Sequence, residues 1–362
     1  MAENTNKVST ESYKGVRDFY PEDMAIQNYI FGVWRKTAES FGYVEYGASI
    51  LEPTELYKAK SGDELVNEQT YSFRDRGERD VTLRPEMTPT VARMIAAKRK
   101  ELRFPLRWYS IPNLFRYEKP QRGRLREFFQ FNADIFGVES IEADIEIITL
   151  SYQIMKNFGL TEKQFRIGLA FGANASRNDV DTLIEKLKKI GIHNAAFDES
   201  IARGMQYYTG TVFEIYDTNP ENPRALFGGG RYDNLLDIFG VEKIPAVGIG
   251  SGDAGIRNVL ETYNLLPKVE SASKIVIVPL DEESIEYAQN LQGMLINAGT
   301  NTTFLLPLRK IGDQIKYADK NNIPFVVIIG EEERKTGKFK VKELLTGKET
   351  EVTKDTINTI LK

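Results

Sequence analysis

The sequence predicts an α+β protein: a large domain built on a mixed, mainly antiparallel sheet with helices, followed by a smaller α/β domain. Three observations lead there. Up to about residue 250, alternating apolar segments mostly adjoin one another as hairpins instead of being spaced by helices. From Lys274 the rhythm changes to strand, helix, strand, helix, strand, which is a βαβαβ unit with a buried parallel sheet. Between them Leu266-Pro267-Lys268-Val269-Glu270-Ser271 is polar, carries a proline and lacks an apolar period, so it reads as a linker. The expected domains are residues 1–266 and 273–362, joined by 267–272.

Each element has its own reason. Residues 24–42 are amphipathic and end at Gly42, a helix with a glycine C-cap. TYSFRD and DVTLRP alternate around the turn DRGERD and predict a hairpin. Thr88–Leu102 reads as a helix, and Leu106–Phe136 as two long antiparallel strands joined by KPQRGR. A helix over Ile141–Phe158, a strand over 165–171, a helix over Val180–Ile190 and strands near 211–217 and 245–250 follow, with glycine-rich breaks between. The tail gives strand KIVIVPL, helix SIEYAQNLQGMLINAG, strand TTFLLP, helix IGDQIKYADKNN, strand PFVVIIG, a hairpin and a final helix.

Composition removes whole classes of chemistry. There is no cysteine, which excludes disulfides, thiolate metal sites and cysteine nucleophiles. The one histidine, His193, leaves no multi-histidine metal site and is expected to be a surface or capping residue. The net charge of −4 provides no general basic field, so any RNA contact must rest on local patches or shape. No apolar run nears the ~20 residues of a membrane helix, and the polar MAENTNKVSTES has no signal-peptide core, so a cytoplasmic protein with no membrane partner is expected.

One stretch stands out. Phe115–Gln130, FRYEKPQRGRLREFFQ, mixes five basic residues, two glutamates, two glutamines and four aromatic rings. Residues two apart on a strand share a face. Arg116 and Glu118 therefore face one way, and Arg126, Phe128, Gln130, Asn132 and Asp134 form a second row. Arginine forks suit phosphates, a ring suits a purine, and an acid suits an exocyclic amine. The hairpin is thus either a bed for an aminoacyl adenylate or an exposed ribbon with cross-strand ion pairs.

The same stretch resembles motif 2 of the class II aminoacyl-tRNA synthetases in its histidyl-tRNA synthetase form. KGVRDFYPEDM (14–24) resembles that family's N-terminal signature, and VTLRPEMTPTVARM (81–94) its amino-acid-binding loop and helix. ARGMQYYTGTVFE (202–214) is similar to its arginine motif, FGGGRYDNLL (227–236) to its histidine-pocket motif, and AVGIGSGD (246–253) to its motif 3 strand. The tail resembles the class IIa anticodon-binding domain. The matches run in family order along nearly the whole chain, which is far more specific than one motif.

The resemblance implies a histidine–tRNA ligase that uses ATP and Mg²⁺, acts on histidine and tRNA(His), and pairs as a homodimer through the segment around Pro53 and the first long helix. It implies Arg116 and Arg203 on the α-phosphate, Glu118 on the adenine amine, Arg124 on the γ-phosphate and Phe128 stacked on adenine. Glu86, Thr88 and Gln130 would take the amino group, with Asp134, Tyr207, Tyr208 and Tyr232 around the histidine side chain. No metal ligand among the side chains is implied. Simpler roles remain for single residues: Glu86 starting a helix, one of Tyr207 and Tyr208 in the core, Gly228-Gly229-Gly230 as a turn.

Four departures mark this chain. Gln206 stands where RGLDYY has aspartate. Gly137 to Ala202 leaves no room for the usual inserted helical domain. Gly255 stands where motif 3 usually ends in arginine, with Arg257 two residues on. The C-terminal domain has balanced charge. A paralogue or deletion variant that binds or adenylates histidine without efficient charging, and a tRNA-sensing module, are the alternative readings.

Overall fold

The computed structural model describes residues 8–58, 68–201, 208–305 and 310–361, and divides into two units, Met1–Pro267 and Lys268–Lys362. No helix among the described residues is long and apolar enough to cross a membrane.

The first unit is organised by a nine-stranded, mainly antiparallel sheet. In chain order its strands are β1 (Val44–Glu45), β5 (Leu106–Ser110), β6 (Asn113–Phe115), β7 (Glu127–Phe136), β8 (Phe165–Phe171), β9 (Ala195–Phe197), β10 (Thr211–Asp217), β11 (Ala225–Arg231) and β12 (Ala246–Gly252). The spatial order is β1-β5-β7-β12-β11-β10-β8-β9, with β6 also paired to β7. A separate three-stranded sheet holds β2 (Leu51–Pro53), β4 (Asp80–Leu83) and β3 (Tyr71–Arg74) in that order.

Alternation decides which face is core. Phe131, Ala133 and Ile135 of β7, Val247 and Ile249 of β12, and Phe213 and Ile215 of β10 turn to one side. There they meet Ile30 and Trp34 of α1 (Pro21–Ser40), Ile147 and Ile154 of α4 (Glu142–Asn157), Leu183 of α5 (Arg177–Lys189) and Val259 of α6 (Asp253–Thr262). The opposite face carries the even-numbered residues of β7. Its far end is closed by Val91 and Ile95 of α3 (Thr88–Lys98), packed with Phe136, Tyr232 and Leu236.

Two expectations are corrected. The two long strands of 106–136 are not continuous ribbons: the first breaks at Ile111-Pro112 into β5 and β6 and ends at Phe115, because proline cannot donate to a ladder. Arg116 and Glu118 therefore lie on the connection, not on a strand. The triple glycine 228–230 is no turn but the middle of β11, paired with β10 and β12. Glycine is required by close approach: a Cβ on Gly229 would stand 2.0 Å from the Gly248 carbonyl oxygen.

The connection after β8 is compact. Gly172 N–H donates to the Gly210 carbonyl (2.6 Å) and Asn174 N–H to that of Thr209 (2.7 Å), which ties the strand end to the chain leading into β10. Ser176 caps α5 in a box with Asp179, and β9 then returns parallel to β8. Among the described residues, one helix and one strand lie between β8 and β10.

The second unit has a five-stranded sheet in the order β14 (Thr302–Phe304), β13 (Ile275–Pro279), β15 (Phe325–Ile329), β16 (Lys338–Glu343), β17 (Glu349–Thr353). The first three are parallel and the last two antiparallel. Helices α7 (Ile285–Asn297), α8 (Ile311–Lys320), α9 (Glu331–Thr336) and α10 (Ile357–Ile360) complete it; α9 is not foreseen from the sequence.

Gly229→Ala is expected to destabilise the first unit by about 1–3 kcal/mol, since only backbone atoms could move to admit the methyl group. Urea denaturation measures this. A midpoint equal to that of the parent chain would contradict the close approach.

Candidate active site

Register builds the site. On the face away from the helices, Asp134 of β7 lies beside Gly248 of β12, which lies beside Gly230 of β11, then Val212 of β10. One step along, Asn132, Gly250, Gly228 and Glu214 form the next row. Two rows with glycine at both middle positions make a floor without side chains between walls that have them. A cavity of about 270 Å³ results. Neighbouring side chains lean over the floor: a Cβ on Gly248 would meet Asp134 Oδ1 at 2.0 Å, and one on Gly250 the Gln130 amide at 3.0 Å.

Glu86, Thr88, Arg116, Gln130, Asp134, Tyr208 and Tyr232 all line this cavity. Glu86 is buried at the N-terminal approach to α3. Its segment is held from both sides. Phe115 N–H donates to the Arg84 carbonyl (3.0 Å), and the Arg84 guanidinium donates to the carbonyls of Ala48 (2.8 Å) and Asn113 (3.0 Å). Arg116 Nε donates to the Pro85 carbonyl (2.9 Å), which directs its guanidinium across the cavity mouth.

Asp134 is a buried acid of this cavity. It is 3 % exposed, and desolvation pushes its pKa up to about 7, opposed by a hydrogen bond from the Tyr232 hydroxyl. A carboxyl poised near neutrality at the end of a narrow cavity suits a ligand that is itself cationic or donates a proton.

A second cavity of about 160 Å³ adjoins the first through Arg116, Gln130 and Gly250, and is lined by Glu118, Arg124, Phe128 and Leu226. The Arg116 guanidinium stands 5.4 Å from the Phe128 ring centre. Arg124 and Glu118 pair at 3.3 Å across the space, but Arg124 is half-exposed, so the pair contributes at most about 1 kcal/mol and opens readily for a ligand.

Of the residues singled out in the sequence, ten are therefore brought to two joined cavities. Arg203 and Tyr207, with Gln206, lie outside the described residues. Tyr208 precedes β10 and is not on a strand. Arg126 departs from the row of β7: its guanidinium lies 4.0 Å from the Tyr117 ring centre and donates to the Tyr13 hydroxyl. Arg257 faces away from the cavities, bound to Asp23 (2.8 Å) and Glu261 (3.0 Å). His193 is exposed.

Sequence reasoning missed the glycine floor and its support. Glycine at every second position of AVGIGSG is the signal for the floor. The support is Asp253, fully buried at the start of α6. Its Oδ2 accepts from Arg17 (2.6 Å) and Gln27 (2.9 Å), and its Oδ1 accepts from the Phe129 N–H (3.1 Å). One carboxylate thus fixes the N-terminal segment, α1 and the β7 end that carries Phe128.

A profile described as histidyl-tRNA synthetase matches residues 15–173 and 170–251, and one described as anticodon binding domain matches 274–362. The chain belongs to the histidyl-tRNA synthetase family. The histidine–tRNA ligase of Leptospira biflexa is 37% identical, with 93% of this chain and 94% of that protein covered. The one of Thermoplasma volcanium is 36% identical, covering 95% and 96%. The crystal structure of the apo S. aureus histidyl-tRNA synthetase superposes with a TM-score of 0.86 at 27% identity, covering 98% of this chain and all of that one.

The class II synthetase fold with its anticodon binding domain is therefore the architecture of this family member. The chain is short for the family. Its alignment with the Leptospira relative runs over 410 positions, more than the 362 residues present, and the family profile breaks at 170–173, the end of β8.

The raised pKa of Asp134 predicts a pH effect. The folded state holds a proton that the unfolded chain releases near 3.8, the ordinary value of an aspartate, so stability of the unliganded protein falls as pH rises from about 4 to about 7 and is flat above. Asp134→Asn should remove that slope and be the more stable protein at pH 8. Parallel profiles for the two proteins in denaturation at pH 4 to 8 would contradict a buried carboxyl that holds its proton to near neutral pH.

Proposed function

We propose that this chain is a histidine–tRNA ligase that activates histidine with ATP and transfers it to tRNA(His). The observation that carries the reading is the joining of two cavities by Arg116. One has acids and hydroxyls suited to an amino acid with a basic ring, and the other has a ring, an acid and an arginine suited to a nucleotide.

In this reading the imidazole sits at Asp134 and Tyr232, beside Tyr208 and Tyr207. The α-amino group is taken by Glu86, Thr88 and Gln130. Adenine lies on Phe128 with its amine toward Glu118, and Arg124 reaches the γ-phosphate. An oxygen of the histidine carboxylate attacks the α-phosphorus in line. The bond from that phosphorus to the bridging oxygen breaks, and its electron pair leaves with pyrophosphate. The carboxylate is already a nucleophile, so no general base is needed, and the work is positioning and charge stabilisation by Arg116 and Arg203.

No cluster of three potential metal-ligating side chains occurs among the described residues. Mg²⁺ would be carried on the phosphates, where it would neutralise the leaving group. Exposed Val44, Ile50, Leu51 and Phe73, close in sequence or sheet to Pro53, support a homodimer through that region. In this reading the chain acts in the cytoplasm.

Histidine-dependent ATP–pyrophosphate exchange, followed by charging of tRNA with labelled histidine, tests the reading. Both should occur. Exchange without charging would favour a histidine-adenylating variant limited by its short connection after β8, and no exchange would refute the ligase reading. Arg116→Ala should lower adenylate formation by about a hundredfold in single-turnover assays, as loss of a transition-state charge partner does. An unchanged rate would remove Arg116 from the mechanism. Light scattering should find a dimer at micromolar concentration, and a monomer there would remove the proposed pairing.

A further inference from the structure

We infer that Arg122 and Arg224, which none of the matched motifs assigns, bind the outer phosphates of ATP and the departing pyrophosphate. The inference rests on the ligase reading for the identity of its ligand.

A third cavity, a groove of about 740 Å³, continues from the one lined by Phe128 and shares Gly123, Arg124, Leu226 and Gly252 with it. Two loops form its sides: the KPQRGR connection with Arg122 and Arg124, and the β10–β11 connection with Arg224. A nucleotide stacked on Phe128 and held at Arg116 has this groove as the adjoining space for the rest of its phosphate chain.

The two arginines are held in place without being neutralised. Arg224 Nη2 donates to Gln121 Oε1 at 3.1 Å, so the loops brace each other. Arg122 Nε reaches Asn222 Oδ1 at 3.4 Å and its Nη2 reaches Thr262 Oγ1 at 3.5 Å. Asn222 is itself buried and donates to Asp217 Oδ2 (2.7 Å) and Thr262 Oγ1 (3.1 Å), which makes it a firm mount. Among the described residues, no salt bridge involves Arg122 or Arg224, whereas Arg124 has Glu118. Two carboxylates also line the groove, Glu214, which accepts from the Tyr216 hydroxyl, and Glu221. With Glu118 on Arg124, three guanidiniums stand against three carboxylates, so what the groove offers an oxyanion is the unpaired donors of Arg122 and Arg224. Guanidiniums steadied by amide and hydroxyl oxygens keep donors free for oxyanions.

The opposite wall has a gap. Gly255, the third residue of α6, lines the groove, and its nearest neighbour to a built Cβ is the Leu226 carbonyl oxygen at 3.4 Å. A longer side chain fits there. The cation that this wall lacks is supplied from the facing loops.

In-line displacement fits the same assignment. The carboxylate approaches the α-phosphorus from the amino-acid cavity, so the bridging oxygen and its pyrophosphate depart on the other side. Arg122 and Arg224 there meet charge that grows as the bond breaks.

The test is calorimetric titration of the full chain with pyrophosphate and with ATP, each with Mg²⁺, for the parent, Arg122→Ala, Arg224→Ala and the double variant Arg224→Ala with Gly255→Arg. Each single variant is expected to bind both ligands about tenfold more weakly, with histidine affinity unchanged, and Gly255→Arg is expected to restore binding. Unchanged affinities in both single variants, or no pyrophosphate binding by the parent, would overturn the inference. So would a parallel loss of histidine binding, which would make these arginines structural, or a loss confined to tRNA charging, which would make the groove an RNA contact. A parent chain that binds pyrophosphate through Arg224 but shows no histidine-dependent exchange would refute the ligase reading and leave this inference standing.

Discussion

The site depends on one constraint: the pairing register that sets glycines of β11 and β12 between Asp134 and Asn132 on one side and Val212 and Glu214 on the other. A strand face is normally filled by side chains. Here the central two strands have none, and the empty volume is the cavity. A one-residue slip of β12 would send Val247 and Ile249 into the cavity and the glycines into the core. The hydrophobic core behind the sheet therefore locks the register, and the register shapes the site. Folding and function share the same alternation.

That alternation made part of the site legible. Phe128, Gln130, Asn132 and Asp134 could be read as one row because β7 is regular over its whole length, and the row lines the two cavities. Arg126 left the row because it precedes the strand, where nearby rings and the Glu118 carbonyl hold it instead. The β11 strand was not legible, since glycine disfavours strands by propensity and only tertiary close approach explains three in succession. Pro112 is visible as a residue, but that it divides β5 from β6 shows only in their separate pairing with β7. Asp253 was hidden for another reason: its partners Arg17 and Gln27 lie more than two hundred residues away, beyond any local pattern.

The chain is short for its family, and its connection after β8 is compact. Hydrogen bonds from Gly172 and Asn174 to the segment just before β10 tie down the point where the family profile breaks. The sheet behind it is uninterrupted, and β9 adds to its edge. In the proposed reading the sheet face with the glycine floor carries adenylation, whereas the face behind it carries the core. The Arg231 of GGGRYD illustrates the division within one motif. It turns from the cavity to Asp144 of α4 (3.0 Å) and to the carbonyls of Val138 and Ser140, while Tyr232 next to it reaches Asp134.

The central claim is that one trough orders both substrates, histidine at the Asp134 end and adenine on Phe128. A crystal structure of the chain with a non-hydrolysable histidyl-adenylate analogue tests it most directly. The account predicts the imidazole within hydrogen-bond distance of Asp134, the phosphate mimic on Arg116 and the purine stacked on Phe128. An analogue bound with its purine at Asp134, or outside the glycine-floored cavity altogether, would contradict it.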